Sequence, residues 1–242
     1  MTLVVTTASA KGITVVGDRA VTRQSNSGVE IIEARKVWYS PKANVALAFW
    51  GNANLPNGES LEDWACRFVA NIKNTDTVST ISDRLVSTLN PELELLGRPW
   101  SHLRRGIHVS GFENGLPVIF HVHTGDPRAF HHALEVHRDY PDIYGGGLEC
   151  YRQHLEIGGF VQLRNGYYEL FATLARMVFE SQKDLSSLLG VPVPASTLLG
   201  QAAFDEALVR LAGGLLKSAQ LTQSVSTEPD VIVFTPQGEV SQ

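Results

Sequence analysis

An α+β architecture in which two antiparallel sheets stack with helices outside each is what this sequence predicts, and three observations predict it. Short apolar strands crowd the first 53 residues. Two segments of three-and-four periodicity follow, and the chain then returns to strands, to helices and to one closing strand. Blocks of strands and blocks of helices, rather than a strict strand-helix alternation, mark a layered α+β arrangement. A chain of 242 residues with 43% apolar content buries one sizeable core, so residues 1–242 read as a single domain.

The elements follow in order. Thr2-Leu-Val-Val-Thr-Thr opens an apolar strand, and a Lys11-Gly12 turn leads into a second strand over Gly12–Thr22, with Asp18 and Arg19 along it. Arg35–Trp38 and Asn44–Ala53 read as a third and a fourth. Leu61, Trp64, Ala65, Phe68 and Ile72 recur at helical steps, as do Ile81, Leu85 and Leu89. Asn90-Pro91 should end the second of these helices, because the residue before proline avoids the helical region. Gly106–Phe112 and Leu116–His123 flank Asn114-Gly115, a strong local hairpin signal. Further strands are expected over Ala129–His137 and over Asp142–Tyr144, the latter leading into Gly145-Gly146-Gly147. Helices are expected over Leu148–Leu155, Tyr167–Ser181 and Phe204–Leu216, with a proline-bearing loop at 191–194, and Asp230–Thr235 closes the chain as a strand.

Composition excludes several classes of function. The net charge is −5 and the basic residues are scattered, so there is no electrostatic footprint for nucleic acid. No stretch approaches the roughly 18 uninterrupted apolar residues of a membrane span, and the N-terminus lacks the basic-then-apolar pattern of a signal peptide. Cys66 and Cys150 are the only thiols, each in a helix-like stretch, too few for a disulfide scaffold and suited to a reducing cytoplasm. His121, His123, His131, His132 and His137 raise the question of a metal. Without a cysteine pair or a carboxylate in ligand spacing they read as ordinary surface or lumen histidines, and neither metal nor cofactor is expected.

The chemistry-bearing feature is Thr2. Behind an initiator methionine, so small a residue permits removal of Met1, which leaves a hydroxyl and a free α-amine on one residue: a nucleophile together with its base. The opening strands bring Thr2, Asp18, Lys36 and Gly51 within reach of one another. Singly, Asp18 reads as a turn acid beside Arg19, Lys36 as a solvated strand lysine beside Arg35, and Gly51 as a turn glycine. Taken together with Thr2 they have one common explanation.

The Thr2 start, the Gly-Asp-Arg-Ala-x-Thr run at 17–22, the Lys36-aromatic step and the Phe-x-Gly-x-Ala run at 49–53 resemble the proteasome β-subunit family of N-terminal threonine hydrolases. A Met-Thr start without a long propeptide, and the length, are similar to the bacterial homologues of the Anbu or β-proteobacterial type. The resemblance implies a four-layer αββα sandwich and a threonine-type endopeptidase that assembles with itself into rings enclosing peptide or unfolded protein, with room for an unidentified ATPase or adaptor. It makes Thr2 the nucleophile, Lys36 the cation that lowers the pKa of the Thr2 amine, Asp18 the acid that orients Lys36, and the Gly51 N–H the oxyanion donor. Thr22 and Ala53 would pair with the substrate main chain, and Phe49 would line the pocket for the residue before the cleaved bond.

Arg19, Gly146, Ser224 and Ser226 are supporting candidates on the same grounds, with two departures from the pattern. Gly146 stands where active members carry a serine between glycines, and Thr222 or Gln223 stands where an aspartate is expected. These departures keep two alternatives in view: a weak or inactive ring-forming subunit of the same fold, and a single-substrate amidase that shares the chemistry but not the ring.

Overall fold

The computed structural model describes residues 2–25, 28–51, 55, 58–94, 105–124, 133–142, 147–166, 168–181, 187, 197–219 and 225–240. The strands are β1 Leu3–Ser9, β2 Gly12–Gly17, β3 Ala20–Ser25, β4 Gly28–Glu33, β5 Val37–Ser40, β6 Val45–Gly51, β7 Arg105–Glu113, β8 Leu116–Thr124, β9 Leu134–Arg138, β10 Phe160–Gly166, β11 Asp230–Thr235 and β12 Gly238–Glu239. The helices are α1 Leu61–Ala70, α2 Val78–Glu94, the short α3 Asp139–Asp142, α4 Gly147–Glu156, α5 Tyr168–Glu180 and α6 Leu198–Ser218. Two five-stranded sheets, ordered β10-β1-β2-β11-β12 and β5-β6-β7-β8-β9, and a β3-β4 hairpin are antiparallel throughout.

The two-residue period of the strands distributes their side chains among three apolar clusters. On β1, Leu3 and Val5 pack with Phe171 of α5 and Val209 of α6, whereas Val4 and Ala8 join Val37, Ala46 and Ala48 of the other sheet. On β5 and β6 the alternation runs the other way out: Trp38, Leu47 and Phe49 pack with Trp64 of α1 and with Ile81 and Leu85 of α2. The two sheets therefore face one another across one cluster, and each carries helices on its far side. Every one of these side chains is nearly or wholly buried, which at about 25 cal/mol per Å² is the dominant favourable term for a chain of this size.

Several sequence expectations change on contact with this frame. Gly12–Thr22 is not one strand: β2 stops at Gly17, and the chain turns at Asp18-Arg19 into β3, which pairs with β4 with Thr22 opposite Ile31. Helix α2 does not end at Asn90. It continues through Pro91 to Glu94 because Leu89 and Leu93 are buried on either side, and because the Asn90 side chain donates to Leu134 O at 3.1 Å and accepts from Leu134 N at 2.7 Å. The strand expected at Ala129 begins only at Leu134 among the described residues. Asp142 belongs to α3, not to a strand, while Ile143, Tyr144 and the loop at 191–194 lie outside the described residues. Strands β4, β10 and β12 have no counterpart among the sequence expectations. The Asn114-Gly115 hairpin forms as expected, with both residues at positive φ and Glu113 opposite Leu116.

One buried charge ties α6 to the first sheet. Asp205, wholly buried, accepts from the Thr7 hydroxyl at 2.8 Å, from Thr14 at 3.4 Å, from Gln162 at 3.1 Å and from Gln201 at 3.0 Å. All four donors are neutral, so burial outweighs them and pushes the carboxyl up to about 6. A carboxyl raised in the folded state contributes stability that is complete below its unfolded pKa near 4 and is lost as pH rises through about 6. On that shift the contribution is about 3 kcal/mol. Urea unfolding at pH 4.5 and at pH 7.5 should therefore show wild type losing more stability on alkalinisation than Asp205→Asn does, by up to that amount. Parallel losses in the two proteins would contradict the assignment.

Candidate active site at the start of the first strand

The local sequence explains why an ammonium comes to rest at the chain start. Even-numbered residues of β1 face the second sheet, and Thr2 continues that parity. Lys36 immediately precedes β5, held there by the Phe49 N–H, which donates to Lys36 O at 2.9 Å. Lys36 is 2% exposed and its three donors are all used: Nζ donates to Thr2 Oγ1 at 3.2 Å, to Asp18 Oδ1 at 2.9 Å and to the Ala20 carbonyl. Burial lowers the pKa of the ammonium, and the Asp18 carboxylate pulls it back up.

Asp18 is the hub. It is fully buried, and its Oδ1 accepts from Leu3 N at 2.7 Å as well as from Lys36; its Oδ2 accepts from Ala20 N at 3.0 Å and from Ser226 N at 3.2 Å. Its own N–H donates to Leu3 O at 3.0 Å. The acid thus binds β1, the β2–β3 turn, Lys36 and the segment before β11 at one point, and it fixes the backbone beside Thr2 as well as the cation.

The structure brings Thr2, Asp18 and Lys36 together. Gly51 ends β6 opposite Arg105, exposed and at φ 86. Phe49 is buried, edge-on to Trp38 at 5.2 Å between centroids and to Trp64 at 6.0 Å. Arg19 forms a half-exposed ion pair with Asp230 at 3.6 Å and does not contact Thr2. Ser226 enters through its backbone N–H, while its hydroxyl accepts from Glu228 N at 3.0 Å within its own turn. Ala53, Gly146, Thr222, Gln223 and Ser224 lie outside the described residues.

Two contributors escape sequence reasoning. Asp230 is half-buried with its pKa raised by burial, against the pull of Arg19, Arg35 and the Lys36 N–H. Gly166 ends β10 opposite Leu3 at φ 92, and a Cβ there would stand 1.4 Å from the Thr2 carbonyl oxygen. The Asn165-Gly166 pair was a turn signal that could have drawn attention to it.

Of the histidines read as surface or lumen residues, His121 is buried, whereas His123 and His137 are partly exposed. His108, His121 and His137 align across β7, β8 and β9, and the rings of His121, His123 and His137 lie 4.2 and 4.1 Å apart between successive centroids. The Trp50 indole donates to His121 Nε2 at 3.0 Å, which leaves Nδ1 to carry the proton toward Asp139 at 3.4 Å. His108 lies between Thr6, at 2.9 Å from Nδ1, and Asn165, at 2.6 Å from Nε2. Burial pushes His108 well below the usual imidazole range and lowers His121 and His123. Among the described residues no group of three or more histidines, cysteines or acids is disposed to hold a metal ion. His131 and His132 lie outside them. Cys66 and Cys150 sit on α1 and α4, both exposed and free. Among the described residues no helix is long and apolar enough to cross a membrane.

No protein-family profile and no curated protein sequence matches the chain. Solved structures do. A Gly-1 mutant of Anbu from Hyphomicrobium sp. strain MC1 superposes with a TM-score of 0.52 at 13% identity, covering 100% of this chain and 85% of that one. Anbu, described as an ancestral beta-subunit, from Yersinia bercovieri gives 0.53 at 13% identity over 96% and 81% of the two chains. The helical assembly of the Anbu complex from Pseudomonas aeruginosa gives 0.55 at 15% identity over the same shares, 96% and 81%. At these identities the likeness is one of fold: the chain shares the mixed α/β fold of Anbu, one of the two types to which its Met-Thr start and length are similar.

Proposed function

We propose that this chain is a threonine-type endopeptidase subunit that assembles with copies of itself, with the Thr2 hydroxyl as nucleophile after removal of Met1. The observation that carries this reading is the 3.2 Å approach of Lys36 Nζ to Thr2 Oγ1, on a buried lysine clamped by Asp18. Replacing a whole buried ion pair by apolar residues is often neutral or stabilising, so stability alone gives little reason to keep one, and perturbed buried cations beside a hydroxyl are a mark of functional sites.

The chemistry runs as follows. The Thr2 α-amine takes the proton of its own hydroxyl as Oγ attacks a peptide carbonyl. Its reference pKa of about 7.7–8.0 is drawn down by the Lys36 charge, so it is free to act as base near neutral pH. The oxyanion of the tetrahedral intermediate is met by the Gly51 N–H. The α-ammonium returns the proton to the leaving amine, an ester remains on Thr2, and a water deprotonated by the same amine hydrolyses it. Thr22 and Ala53 hold the substrate as an added strand, and Phe49 lines the pocket before the cleaved bond.

Helices on the far side of each facing sheet support the four-layer αββα arrangement over a single domain of 1–242. The helical assembly formed by the Pseudomonas aeruginosa Anbu complex supports self-association, with peptide or unfolded protein as the enclosed substrate. The two free cysteines suit the cytoplasm.

A peptide epoxyketone, which closes a ring on a hydroxyl and its neighbouring amine, tests the reading. Intact-mass measurement should find Met1 absent and one adduct, mapped to Thr2, and Thr2→Ala should abolish it. Retention of Met1, or labelling that survives Thr2→Ala, would overturn the mechanism.

A further inference from the structure

Gly51 carries the oxyanion donor in the proposed chemistry, yet the sheet holds it from one side. Strand β5 pairs with β6 no farther than Ala48, with one more bond from Phe49 N to Lys36 O, so among the described residues Trp50 and Gly51 pair with β7 alone. The Trp50 side chain supplies a second hold. Its indole lies across β7 where Gly106 leaves room, since a Cβ there would stand 2.7 Å from three atoms of the ring, and it reaches β8 to donate from Nε1 to His121 Nε2 at 3.0 Å. An indole N–H only donates, so His121 Nε2 must accept. The bond exists only while that nitrogen carries no proton.

We infer that His121 is a positioning residue: as the neutral imidazole it anchors Trp50, and through Trp50 it holds the Gly51 N–H where the oxyanion forms. The inference rests on the peptidase reading and names a regulation of that same site, the loss of the anchor in acid. A proton on Nε2 would set two donors against each other at 3.0 Å, and the indole must move away. Around His121, among the described residues, stand His108 on β7 with ring centroids 5.2 Å apart, His123 on the same strand at 4.2 Å, His137 with Glu135 on β9, and Asp139 of α3 at 3.4 Å from Nδ1. What the first sheet brings to His108, Thr6 and Asn165, is neutral. Burial lowers the His121 pKa below the ordinary 6.5, Asp139 opposes that, and the nearby His137 adds to it. The anchor is therefore intact at neutral pH.

The test uses the full-length protein and two readouts between about pH 4.5 and 8. Subtracting the emission of Trp50→Phe from that of wild type isolates Trp50. This emission should change with a midpoint below pH 6.5 in wild type, as the indole loses its acceptor and meets an imidazolium, and should stay level in His121→Gln, whose amide oxygen accepts and does not titrate. For the site itself, the rate of Thr2 labelling by a peptide epoxyketone is taken as the ratio of wild type to His121→Gln, which cancels the Thr2 amine because it titrates in both. That ratio should fall roughly tenfold from neutral to acid pH, a fraction of the about 100- to 1,000-fold that complete loss of an oxyanion donor costs. His121→Leu, with no acceptor at any pH, should label roughly tenfold more slowly than His121→Gln at neutral pH. A ratio that stays flat, equal labelling of the glutamine and leucine variants, or an emission change that survives His121→Gln overturns the inference and leaves the peptidase reading intact. Should wild type take no label at any pH, the peptidase reading fails and the role at Gly51 with it, while Trp50 emission still decides whether the His121 anchor exists. Should His121→Leu fail to fold, the emission and the ratio decide.

Discussion

Lys36→Met should remove peptidase activity and, at the same time, destabilise the folded chain by about 3–5 kcal/mol, because it leaves Asp18 as a buried charge without its cation. The methionine keeps the apolar stem, so the loss measures the charge and not a cavity. On the rate side the Thr2 amine loses the neighbouring positive charge that keeps it unprotonated, and a roughly 100- to 10,000-fold fall in labelling of Thr2 follows from the loss of an effective base. Asp18→Asn attacks the same pair from the other side, but with a different signature. An amide has a single acceptor oxygen and two donors of its own, whereas Asp18 receives Leu3 N, Ala20 N, Ser226 N and Lys36 Nζ. At least one backbone N–H would then face another donor, and the start of β1 should loosen.

The double variant separates charge from geometry. If the stranded carboxylate is what destabilises Lys36→Met, then Lys36→Met with Asp18→Asn should be more stable than the sum of the two single losses, by at least about 1 kcal/mol of coupling. Urea unfolding of the four proteins at one pH gives the cycle. Simple additivity, or a loss below about 1 kcal/mol in Lys36→Met, would mean that the pair is far more solvated than its 2% and 0% exposures state.

What could be read from the residues alone follows a physical dividing line. The meeting of Thr2, Asp18 and Lys36 was legible because it is carried by residue type at short range: an acid and a base near strand ends and a hydroxyl at the start. The amphipathic helices α1, α2, α5 and α6 were legible because their periodicity is local. Strand β10 was not, although Val161 and Leu163 alternate with Gln162 and Arg164. Its pairing with β1 joins segments some 150 residues apart, and nothing in a local pattern reports a partner at that distance. The start of β3 is absorbed into a longer expected strand, and β4 has no counterpart there, because the break at Asp18-Arg19 has no proline or glycine after it, only a carboxylate that turns the chain by capturing the Ala20 and Leu3 amides. Pro91 misled in the opposite sense, since local preference yields to two buried leucines and a bidentate asparagine.

Gly166→Ala should disable the site from a distance in sequence and without touching any of its side chains. Gly166 adopts φ 92, where an L-residue costs about 1–2 kcal/mol, and an added Cβ would meet the Thr2 carbonyl oxygen at 1.4 Å and its carbon at 2.4 Å. Both atoms are backbone, so no rotamer change relieves the overlap. Either β10 or Thr2 must move by about 2 Å to restore ordinary van der Waals contact. The Thr2 hydroxyl sits at the limit of its hydrogen bond to Lys36 at 3.2 Å, and a displacement of that size breaks it. Misplacement of a reacting group by about 1 Å typically costs on the order of 100-fold, so Thr2 labelling should fall at least that far. Gly158→Ala supplies the control: φ is 88, nearly the same, yet a Cβ there meets nothing within 4 Å. It carries the conformational cost without the collision. The two variants should lose comparable stability from φ alone, with an added loss in Gly166→Ala, and only Gly166→Ala should lose labelling. Equal labelling in both would show that the position of the chain start does not depend on the absent Cβ, and would detach β10 from the catalytic geometry proposed for Thr2.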